Sequence, residues 1–263
     1  MTVSATGGEC RAEALGVTFY DGAVGALAQK VGDGGLLVVP SAPVLVQMYS
    51  DKVLREAVQS ADHAIADSML MVLMHFLLSG KWISRISGLT FLRAFLSMED
   101  LRRDGALFLV NPDEQEGRAN QSWLAEQGIP VCDDDMYVAP MYDTLAQDPV
   151  LLAVLARRQP KYVLVNLAGG VQEKLGHYLK NNLEYRPAII CTGAAIAFLT
   201  GRQAPIPVWA DKAGLGWLYR CVHNPGKFVP RYLAAFRLVW IMVKDRFLPS
   251  ATIETDPGTR RDS

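Results

Sequence analysis

A chain of 263 residues, half of them apolar, is long enough to bury a sizeable core in one large α/β domain or in a domain with an appendage. Its formal net charge of −1 excludes a generic binder of polyanions, and no nucleic-acid partner is expected. The four scattered cysteines, Cys10, Cys132, Cys191 and Cys221, offer no CxxC pair and no zinc-ligand spacing, so a reduced, cytosolic compartment is the simplest expectation.

In chain order, residues 1–14 read as a flexible, polar tail without a secretory leader. Residues 16–20 suit a strand, and Asp21 suits the cap of a helix over 22–31, which Gly34 and Gly35 end. The run LLVVP at 36–40 is continuous and apolar, as in a parallel strand covered on both faces. A helix over 43–59 and a short strand over 63–66 follow, with Asp67 where that strand ends. The most apolar segment, 69–78, is too short to span a bilayer and contains His75, so it reads as a buried helix. A helix at 91–101, a strand at 106–110 ending in Asn111-Pro112, a helix at 121–127 and a short strand at 129–132 come next. Residues 133–140 read as a solvated loop: three successive acids do not face one metal ion, and no metal is expected there. His63, His75, His177 and His223 likewise show no ligand spacing. A helix at 148–158 leads to the stretch around which the chain is organised.

That stretch, 162–183, opens with an apolar strand, breaks at Ala168-Gly169-Gly170, and continues with Val171, Leu175, Tyr178 and Leu179 at helical spacing. Strand, glycine turn and helix bring the backbone N–H groups of a helix N-terminus to the carboxyl end of a strand, where α/β proteins hold phosphates; a plain tight turn has the same sequence. Gln172 and Glu173 fall in the first turn. A strand at 187–192 follows, then Gly193, a small-residue helix at 194–199, and Gly201 as its C′ residue. The repeated alternation predicts an α/β fold with a Rossmann-like parallel sheet in a three-layer sandwich over 15–203. From 204 to 249 tryptophans and basic residues replace strand-like runs, which predicts a basic helical appendage; 250–263 reads as a disordered tail. Seven Lys or Arg (212, 220, 227, 231, 237, 244, 246) stand against Asp245 alone between 212 and 246, a local match for an anionic partner. No GxGxxG follows the early strands, which argues against a nicotinamide oxidoreductase.

The C-terminal landmarks resemble the WecG/TagA/CpsF glycosyltransferases, family twenty-six of the glycosyltransferases. The family's G-x-P-x-Q-E element aligns with Ala168-Gly169-Gly170-Val171-Gln172-Glu173, its glycine-bounded helix with Thr192-Gly193 through Thr200-Gly201, and its P-x-W and G-L-E-W-L-Y-R segments with Pro207-Val208-Trp209 and Gly214 to Arg220. More weakly, its T-x-N-A strand end matches Val39-Pro40-Ser41-Ala42, its A-D element ends at Asp67, and its R-V-x-G-x-D matches Arg85 to Thr90. The chain departs from the pattern at Val39, Ser41, Ser68, Thr90, Asn111-Pro112, Gly170-Val171 (for Pro-Lys), Ala197 and Gly216.

The resemblance implies metal-independent, cofactor-free, inverting transfer of an N-acetylmannosamine-type sugar from a UDP-sugar to a polyprenyl-diphosphate-linked acceptor in cell-surface polysaccharide synthesis, at the inner face of the cell membrane. It makes Asp67 the catalytic base, in an apolar run whose burial would raise its pKa; from the residues alone, a surface or helix-capping aspartate is the alternative. Arg85 would contact phosphate or sugar, and Ser41 would bind substrate or cap the next helix. Gly169, Gly170 and Gly193 would shape the substrate loops, with Gln172 and Glu173 addressing the nucleotide. Arg220, Lys227 and Arg231 would hold the diphosphate. Leu233, Phe236, Trp240, Val243 and Phe247, bordered by Arg237 and Lys244, form an apolar stripe along one helix face. Such a stripe suits a membrane surface met through 220–247, or packing on the chain's own domain or on a second subunit. The departures leave a second reading open, a catalytically lost member that binds nucleotide-sugar or scaffolds an assembly complex. The oligomeric state is open.

Overall fold

The computed structural model describes residues 11–203, 210, 215–223 and 225–247. Among them an eight-stranded sheet runs in the order β1-β2-β4-β3-β8-β7-β5-β6. Its strands are β1 (Arg11–Ala14), β2 (Val17–Tyr20), β3 (Gly35–Val38), β4 (His63–Ala64), β5 (Leu107–Asn111), β6 (Met136–Val138), β7 (Tyr162–Val165) and β8 (Ala188–Cys191). Every pairing from β2 to β6 is parallel. The exception is the edge, where β1 pairs antiparallel with β2, so the sheet is mixed rather than wholly parallel. Residues 11–14 therefore belong to the sheet, not to a tail. The cause is local: Leu15 and Gly16 both adopt positive φ, 57° and 68°, the two-residue turn that matches the twist of a hairpin.

The central strands are buried on both sides, as their continuous apolar runs require. Leu36, Val38, Phe108, Val163 and Ile189 face a layer made by α2 (Ala42–Met48), α3 (Lys52–Gln59), α7 (Pro149–Arg158) and α8 (Val171–Asn182). Leu37, Leu107, Leu109, Leu164 and Ile190 face α1 (Val24–Val31), α5 (Gly88–Leu96) and α6 (Glu114–Glu126). This is the expected three-layer arrangement. Gly176 lets α8 lie close to the sheet, since a Cβ there would stand 2.7 Å from Leu36 Cδ1.

Several elements differ from the expectation for identifiable reasons. The single helix over 43–59 is two, because Asp51 accepts from Leu54 N (2.9 Å) and caps a new helix, α3. The short strand sits at β6 and not at 129–132. Between them Asp133–Asp135 makes one 3₁₀ turn, held by Arg118 on Asp133 and by Arg158 on Asp134 and Asp135, so these acids are ion-paired and Asp135 is buried. Helix α6 starts well before residue 121, capped by Asp113. Helix α4 (Met69–Ser79) is not buried: it hides Met71, Val72 and His75 but exposes Leu73, Phe76 and Leu77.

A short helix, α9 (Ala195–Leu199), precedes Gly201, which has the left-handed φ of 72° expected of a C′ residue. The C-terminal segment is helical where described: α10 (Gly216–His223), α11 (Pro225–Ala235) and α12 (Arg237–Phe247). α11 packs on α2, and α12 packs on both α2 and α4, burying Leu238, Ile241 and Met242. The expected apolar stripe is not one helix face, because the helix breaks at Phe236. Leu233 and Phe247 are 63% and 70% exposed, whereas Trp240 meets Tyr49 edge to face at 6.1 Å. Residues 1–10, Pro207-Val208-Trp209, Gly214 and the expected tail over 250–263 lie outside the described residues.

Candidate active site

The strand order reverses between β3 and β8, and such a switch point opens a crevice at the carboxyl ends of the strands. A cavity of about 680 Å³ lies there. Its floor comes from the loops after β3, β4, β8, β7 and β5, which contribute Ser41, Asp67, Gly193, Gly169 and Pro112; Arg85 joins them from the segment before α5. Its wall is apolar: Leu70 and Leu73 of α4 face Trp217, Tyr232 and Phe236 of the C-terminal segment. Trp217 and Tyr232 meet edge to face at 6.1 Å.

Asp67 is placed by a chain that continues β4. Ile65 N donates to Val38 O (3.1 Å), and Ile86 N donates to Ala66 O (3.1 Å), so the segment carrying Arg85 runs beside the one carrying Asp67. Arg85 Nε donates to the Asp67 carbonyl oxygen (2.8 Å), and its Nη2 stands 3.8 Å from Asp67 Oδ1. The two side chains are 14% and 28% exposed, so the pair is half withdrawn from water yet open to the cavity. The alternative of a helix-capping aspartate is answered by its neighbour: Ser68 Oγ accepts from Met71 N (3.2 Å) and caps α4. The departure at Ser68 thus has a structural use. Ser41 occupies the N-cap position of α2 but makes no capping hydrogen bond there, and it lines the cavity.

The loop after β7 is organised from within. Glu173 is fully buried; its Oε2 accepts from Gly170 N (2.6 Å) and its Oε1 from Gln172 Nε2 (3.0 Å). Gln172 Oε1 in turn accepts from Gly193 N (2.7 Å), which ties the β7 loop to the β8 loop. Val171 N and Gln172 N donate to Ala168 O at 3.2 and 3.1 Å. The backbone donors of the first turn, expected to be presented to a phosphate, are therefore paired within the loop. Gln172 and Glu173 line the cavity, but the contacts above are those of residues that hold its floor together. Gly170 has φ 93°, and a Cβ on it would stand 2.8 Å from Gln47 Oε1. Lys174, next in sequence, does not supply the cation absent at Val171: its ammonium turns away to Asp51 (3.1 Å) and to Thr144 O (2.6 Å).

Arg220 lies on α10, and Lys227 and Arg231 on α11, the helices that flank the apolar wall; their side chains lie outside the described residues. Sequence reasoning missed Asn166, Thr192 and Glu116, which also line the cavity. Thr192 and Asn166 each close a strand at the sheet's carboxyl edge, and that position was the signal available. Thr192 Oγ1 is buried with no hydrogen-bond partner. Among the described residues no three His, Cys, Asp or Glu side chains are grouped as a metal site.

The model of the glycosyl transferase WecG/TagA/CpsF family matches residues 13–252. One similar protein is the N-acetylglucosaminyldiphosphoundecaprenol N-acetyl-beta-D-mannosaminyltransferase of Bacillus subtilis (strain 168), 22% identical over 210 residues that make up 78% of each chain. A match over nearly the whole chain, on a sheet whose carboxyl edge carries Asp67 and Arg85 in one cavity, identifies the protein: it belongs to the WecG/TagA/CpsF glycosyltransferase family.

Proposed function

We propose that the protein transfers an N-acetylmannosamine-type sugar from a UDP-sugar to a polyprenyl-diphosphate-linked sugar, as the name of the Bacillus relative describes for its acceptor and sugar. The observation that carries this reading is the cavity's division into a polar floor with Asp67 and Arg85 and an apolar wall between α4 and the C-terminal helices. The floor suits a sugar and its phosphates, and the wall suits the start of a lipid chain. Asp67 takes the proton of the acceptor hydroxyl while the oxygen bonds to the anomeric carbon. The bond from that carbon to the phosphate oxygen breaks on the opposite face, so the configuration inverts and UDP leaves with the electron pair. Arg85 offsets charge beside the reacting centre, and Arg220, Lys227 and Arg231 receive the diphosphate. No metal takes part in this scheme.

The acceptor's lipid tail puts the reaction at a bilayer surface. Leu73, Phe76 and Leu77 of α4 and Trp240 and Phe247 of α12 are exposed on two helices that pack together, which supports contact with that surface through the C-terminal segment. No helix among the described residues is long and apolar enough to cross a membrane. In this scheme the contact is peripheral, at the inner face of the membrane.

Detergent-solubilised protein, given a panel of UDP-sugars and polyprenyl-diphosphate-sugar acceptors, tests the proposal. UDP release by the wild type and not by Asp67→Asn is the expected result. UDP binding without turnover across the panel would make the protein a nucleotide-sugar-binding member that has lost catalysis, and absence of UDP binding would sink both readings.

A further inference from the structure

The sequence suits Asp21 to the cap of the first helix, and the structure gives it other work. Ala23 holds the N-cap position of α1, with no side-chain hydrogen bond. The Asp21 carboxylate instead reaches across 63 positions of chain: its Oδ1 accepts from Ser84 N at 2.6 Å. The turn that presents it is closed over itself. Tyr20 Oη donates to Ala23 O (3.2 Å), and a Cβ on Gly22 would stand 2.5 Å from that hydroxyl.

Ser84 lies in the stretch between α4 and α5 that carries Arg85, and residues 81–87 form no helix or strand of their own. Hydrogen bonds fix three successive residues of it. Ser84 N goes to Asp21, Arg85 Nε to Asp67 O (2.8 Å) and Ile86 N to Ala66 O (3.1 Å). The sheet explains the arrangement. β2 and β4 are parallel neighbours matched at Phe19 and Ala64. Asp21 and Ala66, each two residues further on, therefore stand at the same level of the carboxyl edge, about one strand spacing of 4.8 Å apart. β2 turns off there toward α1, and the 84–86 stretch takes the place beside β4 that β2 leaves. Ile65 N points to β3, while Ala66 turns its carbonyl to the opposite side, where Ile86 meets it.

Arg85 is thus held between two directional bonds to its backbone neighbours. The bond from Ile86 is backbone to backbone, but the bond from Ser84 depends on a single side chain. Ile83, just before, is fully buried, yet apolar contact has no direction and lets a stretch slide. We infer that Asp21 is a positioning residue for the reaction: its carboxylate sets where the 84–86 stretch lies along β4, and so where the Arg85 guanidinium stands against Asp67. The inference rests on the roles proposed above for Asp67 and Arg85.

Steady-state kinetics of the full chain with UDP-N-acetylmannosamine and N-acetylglucosaminyldiphosphoundecaprenol test it, beside amide exchange over residues 84–86, which needs no substrate. Asp21→Ala is expected to lower kcat by about ten- to hundredfold, the scale of a misplacement of about 1 Å, with both KM values within about threefold of wild type. The thermal midpoint should change little. Asp21→Asn, whose amide oxygen still accepts from Ser84 N, should restore most of kcat. In an Arg85→Ala background the loss of Asp21 should cost nothing further, because the two residues act through one contact. Exchange at Ser84 should quicken in Asp21→Ala and not in Asp21→Asn. An unchanged kcat in Asp21→Ala, a loss that simply multiplies with that of Arg85→Ala, or unchanged exchange at Ser84 overturns the inference and leaves the proposed reaction standing. Wild-type protein without turnover overturns the proposed reaction, and this inference with it.

Discussion

The floor and the wall of the cavity are built on opposite principles. The floor is a hydrogen-bonded unit: Glu173, Gln172, Gly170 and Gly193 are linked in series, and Arg85 is bound to the segment that carries Asp67. The wall is held by apolar contact: α12, which packs on the helix that carries Leu70 and Leu73, buries Leu238, Ile241 and Met242 while Trp240, Val243 and Phe247 remain exposed. Hydrogen bonds have direction and fix positions to fractions of an ångström, which chemistry requires. Apolar contacts have none, so a wall made of them can accept a chain of methyl-branched lipid without a registered fit. In the proposed function the reaction belongs to the floor and access to the wall.

The largest effect should come from the proposed base in the floor. Asp67→Asn is expected to lower turnover by roughly 10²–10⁴-fold, the usual worth of a positioned base, with UDP affinity and the thermal midpoint little changed. A variant that retained turnover would remove Asp67 from the chemistry. Next, Glu173→Ala leaves Gly170 N and Gln172 Nε2 without their buried acceptor, and should cost about 1–3 kcal/mol of stability in denaturant unfolding. UDP affinity should fall with it, because two loops lose their common anchor. An unchanged midpoint would show that the floor does not depend on this carboxylate.

The wall should respond in the reverse way. Leu233→Ser combined with Phe247→Ser removes two exposed side chains, so stability should stay within about 0.5 kcal/mol. Co-sedimentation with anionic lipid vesicles should drop several-fold, and turnover on a short, water-soluble acceptor should not. Loss of stability in this variant would mean that the stripe packs on protein and not on lipid. The smallest effect concerns pH. His63, His75 and His177 have pKa values lowered chiefly by burial. A histidine neutral in the folded state and protonatable in the unfolded one costs nothing above its unfolded pKa, about 6.5, and destabilises progressively below it until its own folded pKa is passed. The thermal midpoint should therefore fall by a few degrees between about pH 7 and pH 5.5. His75→Gln should flatten that slope; an unaltered slope would exclude His75 as a contributor.

The parts of this molecule that were legible in the sequence are those where one physical demand dominates. Leu36-Leu37-Val38 and Tyr162 to Val165 read as buried parallel strands because a strand covered on both faces has no polar position to offer. Asp67 and Gly193 stood out because each follows such a run. What stayed hidden depended on partners distant in sequence or on unusual backbone. The β1–β2 hairpin turns on Leu15 at positive φ, which its residue type does not advertise. β6 lies behind three acids that look like a loop until Arg118 and Arg158 pair with them. Helix α4 reads as buried from its composition, since apolar residues left exposed and those facing a core are spelled alike. Glu173 showed its place in the first turn but not its burial, and Asn166 gave no sign that its amide would donate to Asn111.

Gly170 has a consequence for the history of the chain. Its φ of 93° lies outside anything a proline ring permits, and a Cβ there would press on Gln47. A proline at this position would require a different loop backbone, and it would remove the N–H that Gly170 gives to Glu173. The neighbouring lysine is separable, since Val171 sits in ordinary helix. The bar to proline is therefore the backbone itself, since Gln47 meets this position only with the mobile end of its side chain. Proteins that share this loop backbone should be expected to share Gly170, whatever stands at position 47.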